Sequence, residues 1–78
     1  MLTADFLRQV REVAPEAVPG PHEAEGIEFW RGVYAAKGLR LVGVEWPDGT
    51  RALMAEPYDE NALQSAYFHA VQRVGAVH

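Results

Sequence analysis

The chain predicts a single small α+β domain of order α-β-β-β-α, a three-stranded antiparallel meander with two helices packed on one face. Three observations carry this reading. Apolar residues recur at helical spacing near each end of the sequence. Between those ends, residues 27–34, 39–46 and 51–56 form runs rich in β-branched and aromatic side chains. Glycine- and proline-bearing turns separate the runs. With 78 residues there is room for one core, because a chain of this size buries only about 60% of its unfolded surface.

The first helix is predicted over 4–14. Leu2, Phe6, Val10 and Val13 share one stripe, Thr3 is the expected N-cap, and Asp5 favours the positive end of the dipole. Pro15 stops the helix, since it cannot supply an interior helical N–H. Residues 15–26 then read as a connector stiffened by Pro15, Pro19 and Pro21, and long for so small a domain.

In the meander, Ala36-Lys37-Gly38 suits a three-residue hairpin loop with glycine at positive φ. That register sets Ala35 against Leu39, Val33 against Leu41 and Trp30 against Val44. Trp46-Pro47-Asp48-Gly49-Thr50 is the stronger turn signal, with proline presetting the first corner. Setting Trp46 against Thr50 brings Glu45 to Arg51 and Arg40 to Glu56, two opposite-charge pairs worth about 0.2–1 kcal/mol each.

The last helix is predicted over 60–74. Asp59 caps it, Glu60 adds charge to the first turn, and Tyr58 staples onto Leu63. Leu63, Ala66, Tyr67, Ala70, Val71 and Val74 form its apolar stripe, with Arg73 and Gly75 at the C-terminal end.

A sheet with one face in water alternates apolar and polar residues. These strands are apolar on both parities. The predicted register collects Ile27, Phe29, Val33, Leu39, Leu41, Leu53 and Ala55 on one face, with Gly43 admitting a close helix. That face is expected beneath both helices. The other face collects Trp30, Tyr34, Val42, Val44, Trp46, Ala52 and Met54, rimmed by Arg40, Glu56 and Glu28. Trp, Tyr, Met and Arg are the types enriched at protein interfaces. The expected function is therefore a non-enzymatic interaction module, an adaptor or inhibitor of phage or plasmid type. It binds a protein partner, or itself as a homodimer, through Trp30, Tyr34, Arg40, Val44, Trp46 and Met54.

Eleven acids against seven Lys and Arg give a net charge of −4. Five of the acids (Glu12, Glu16, Glu23, Glu25 and Glu28) fall between Glu12 and Trp30, where no Lys or Arg occurs. This stretch makes Glu23, Glu25 and Glu28 further partner-binding candidates. In the alternative reading they mimic a phosphate backbone and inhibit a nucleic-acid enzyme. A direct nucleic-acid partner is disfavoured because no dense basic stripe is present.

No nucleophile pattern, phosphate loop or metal-ligand spacing stands out, so no catalytic residue, metal or cofactor is expected. His22-Glu23-Ala24-Glu25 reads as a solvated acidic loop, and capping explains Asp59 and Glu60. The absence of cysteine fits a reducing cytoplasm, and no run approaches the ~20 apolar residues of a membrane span.

The α-β-β-β-α order is similar to that of the double-stranded RNA-binding domain, over nearly the whole chain. That family contacts phosphates through lysines at the start of its second helix. This chain has Asp59-Glu60-Asn61 there, so the resemblance implies only weak nucleic-acid binding.

Overall fold

The computed structural model describes residues 4–20, 25–34 and 38–76. The elements run α1 (Ala4–Val13), β1 (Val18–Pro19), β2 (Glu28–Tyr34), β3 (Leu39–Glu45), β4 (Arg51–Ala55) and α2 (Glu60–Ala76). The strands form one antiparallel sheet in the order β1-β2-β3-β4. The α+β class and the meander are as the sequence predicts. Both helices were expected on one face, however, and they lie on opposite faces.

The reason lies in the ladder between β2 and β3. Tyr34 faces Leu39 and Trp30 faces Gly43, one residue away from the predicted register. The last and first paired residues are thus Tyr34 and Leu39; of the predicted loop Ala36-Lys37-Gly38 only Gly38, at φ +63°, is among the described residues. A one-residue slip exchanges the faces of a whole strand. Trp30 now stands on the face of Gly43 and Leu53, while Phe29 joins Val44 and Ala52. Both faces are apolar, so each takes a helix of its own.

On the first face, Phe6, Val10, Ala14, Ala17 and Trp30 form one buried cluster, with Leu7 and Leu41 packed against it. Phe6 meets Trp30 edge-to-face at 5.2 Å between centroids. Gly43 admits α1 as predicted, since a Cβ there would stand 2.5 Å from Val10 Cγ2. On the second face, Phe29, Val42, Val44 and Trp46 are buried, with Leu63, Ala66 and Tyr67 of α2 against them. Tyr58 stacks on Phe29 at 6.3 Å between centroids.

Of the acidic connector, residues 15–20, 25 and 26 are among those described. Ala17 enters the α1 cluster. Val18 and Pro19 then pair with Arg31 and Trp30 as a short edge strand. The predicted cap at Thr3 lies outside the described residues.

The β3–β4 turn matches its prediction. Trp46 N–H donates to the Thr50 carbonyl at 2.9 Å, Gly49 N–H donates to the Trp46 carbonyl at 2.9 Å, and Gly49 takes φ +88°. Asp59 caps α2, accepting from the Ala62 N–H at 2.8 Å. Gly75 does not end that helix, which continues to Ala76. Among the described residues no helix is long and apolar enough to cross a membrane.

Candidate interaction surface

The residues predicted to form one aromatic surface are dispersed. Trp30 is 2% exposed beneath α1, whereas Val44 and Trp46, at 0% and 8%, lie on the opposite face beneath α2. Met54 is half-buried with them. Arg40 is exposed on the α2 face, and Tyr34 is half-buried on the α1 face beside Leu39. Glu25 is exposed at a turn with φ 56°, and Glu28 is half-buried opposite Glu45. Glu23 lies outside the described residues. The surplus aromatic surface expected from the sequence is thus consumed by two separate cores.

Among the described residues the large apolar side chains that stay exposed are Val18, Leu39, Leu53, Phe68 and Val71, the last of which was expected on the buried stripe of α2. Leu39 and Leu53, expected in the core, are 43% and 42% exposed. Both stand on the α1 face. Leu41 faces Ala55 across β3 and β4 and lies diagonal to Leu53, so Leu39, Leu41, Ala55 and Leu53 make one strip. Helix α1 packs over Trp30 and Gly43, Ala14 and Ala17 pack over Gly32, and Leu41 lies against this cluster, which leaves Leu39, Leu53 and Ala55 exposed. The sequence held a clue in Arg51, two residues before Leu53 on the same face. A cation on that face does not suit a fully covered core, because charged side chains are seldom fully buried unless paired. Arg51 instead places its guanidinium 5.7 Å from the Phe6 ring centroid.

The strip borders β4, the last strand of the sheet. Trp46 N–H to Thr50 and Glu56 N–H to Arg40 fix the close hydrogen-bonded pairs of this ladder at even positions of β4. Pairs alternate along an antiparallel ladder. The backbone groups of Leu53 and Ala55 therefore point away from β3.

The opposite face carries a cleft of about 1080 Å³ beside the start of α2, with Ile27, Phe29, Tyr58 and Leu63 among its apolar walls. Arg31 crosses it to meet Glu56, Nε to Oε1 at 2.9 Å, a charge contact rather than an aligned hydrogen bond. The pairing predicted between the Glu56 and Arg40 side chains is replaced by this one, although their backbones do pair.

Helix α2 is also tied to the β3–β4 turn. The Tyr67 hydroxyl donates to Asp48 Oδ2 at 2.5 Å, and the Tyr67 ring meets Trp46 edge-to-face at 5.0 Å. The hydroxyl, helped by the Thr50 N–H, holds the Asp48 carboxyl below its ordinary pKa. The same bond raises the Tyr67 phenol.

Among the described residues no group of three or more His, Asp or Glu side chains comes together as a metal site. The chain matches no family model, no curated protein and no solved structure with which it was compared.

Proposed function

We propose that this chain is a non-enzymatic protein-interaction module, an adaptor or inhibitor working in a reducing, cytoplasm-like compartment. Its binding surface in this reading is the aliphatic strip, not the tryptophans. The observation that supports it is the pair Leu39 and Leu53, each more than two-fifths exposed on the α1 face of the sheet. Contiguous exposed apolar area of this kind marks interaction sites on small domains. Tyr34 at the strip's end adds an amphipathic aromatic side chain of the sort enriched at interfaces.

Affinity capture from the native host, followed by rebinding of each captured protein in purified form, tests this reading. At least one purified partner is expected to bind, and Leu39→Asp with Leu53→Asp is expected to weaken that binding at least ~100-fold, about 2.7 kcal/mol. Binding that survives both substitutions, or no purified partner that binds, overturns it.

A further inference from the structure

The two edges of the sheet are unlike. Strand β1 has two residues, of which Pro19 has no N–H to offer a neighbour. Strand β4 has five residues and no proline or bulge within it. Its outward backbone groups at Leu53 and Ala55 belong to residues whose side chains are exposed on the α1 face. An edge of this kind is a template for another strand.

We propose that the occupant of this edge is the β4 of a second copy, joined antiparallel about a twofold axis at Leu53. Leu53 is the midpoint of β4, so a twofold through it is the one antiparallel register that overlaps the whole strand. It makes Leu53 and the partner's Leu53 a close hydrogen-bonded pair, each donating its N–H to the other's carbonyl. It also lays the two exposed leucines side by side on the α1 face. Ala55 faces the partner's Arg51, so no like charges stand directly opposite. The two Arg51 residues sit four positions apart, about 13 Å along the strands.

This inference rests on the interaction-module reading and deepens it. Joining the copies makes the two aliphatic strips adjacent, with an α1 helix beyond each. The result is a broad apolar floor, built from both chains, for the protein partner.

The test uses the intact chain. Light scattering is expected to give a dimer mass at about 100 µM chain. Leu53→Pro deletes an N–H that points outward, leaves the β3–β4 ladder intact and should yield a folded monomer by circular dichroism. Because the chain has no cysteine, Leu53→Cys supplies a single reporter. Paired Cα atoms about 5.5 Å apart lie within disulfide range. Under mild oxidation Leu53→Cys is expected to cross-link at least ~10-fold faster than Val18→Cys on the opposite edge.

A wild-type monomer at that concentration, a folded Leu53→Pro variant that still dimerises, or equal cross-linking at both positions overturns the proposal. Should Leu53→Pro unfold, the cross-linking comparison decides alone. A monomer that still binds a purified partner through Leu39 and Leu53 would sink the twofold pairing and leave the module reading standing.

Discussion

Trp30 faces Gly43 across the β2–β3 ladder, and Val10 of α1 occupies the space that a side chain at position 43 would take. The largest side chain of β2 is thereby matched to an absent one on β3. Gly43→Ala should force Val10 aside and cost about 1–3 kcal/mol. Pairing it with Val10→Ala should recover part of the loss, a coupling that a double-mutant cycle in urea would measure. Strict additivity would show that the two positions do not share this space.

Trp30→Ala and Trp46→Ala should each cost about 3–5 kcal/mol, because both indoles are nearly fully buried in separate clusters. A domain of this length has roughly 4–12 kcal/mol in all. Either variant should melt far below the parent in a thermal scan, and the pair together should leave no cooperative transition. Retention of the parent's melting temperature by either variant would contradict its placement in the core.

Asp48 and Tyr67 set a pH dependence whose sign follows from the Asp48 shift. The folded state holds this carboxyl below its ordinary value, so the contribution is present above pH about 4 and is lost as pH falls through the folded pKa. Tyr67→Phe removes the main cause. The thermal stability of the variant should therefore fall less than the parent's between about pH 4 and pH 2. The parallel acid limbs of an unchanged profile would count against the bond.

Arg31 and Glu56 offer a contrast in burial. Their side chains are 34% and 15% exposed, whereas those of Arg8 and Asp5, also 2.9 Å apart, are 68% and 72% exposed. Glu56→Gln leaves a half-covered guanidinium without its counter-charge and should cost about 1–3 kcal/mol. Asp5→Asn should change stability by less than about 0.5 kcal/mol. Equal effects in chemical denaturation would refute the distinction.

Much of the fold was legible where local chemistry acts over short range. Pro15 after α1, the Pro47-Asp48-Gly49 turn and the Asp59 cap all act within a few residues, and each sits where the sequence puts it. The β3–β4 register was legible too, because the turn fixes it. The β2–β3 register was not, since Ala36-Lys37-Gly38 accommodates more than one loop length. From that single slip the faces of Trp30 and Phe29 were exchanged, and with them the expected interaction surface. The short strand at Val18–Pro19 was hidden for a different reason: two residues carry no periodicity, and only the β2 edge defines them as a strand.

Pro19 has one more consequence. A sheet that can accept a strand at both edges adds copies without end, and that is how fibrils grow. In this chain the open edge and the edge bearing Pro19 are opposite ends of the same sheet. Once β4 is taken, each remaining boundary is a β1 strand too short, and too poor in donors, to recruit another molecule. In the proposed dimer, growth of the sheet would stop at two.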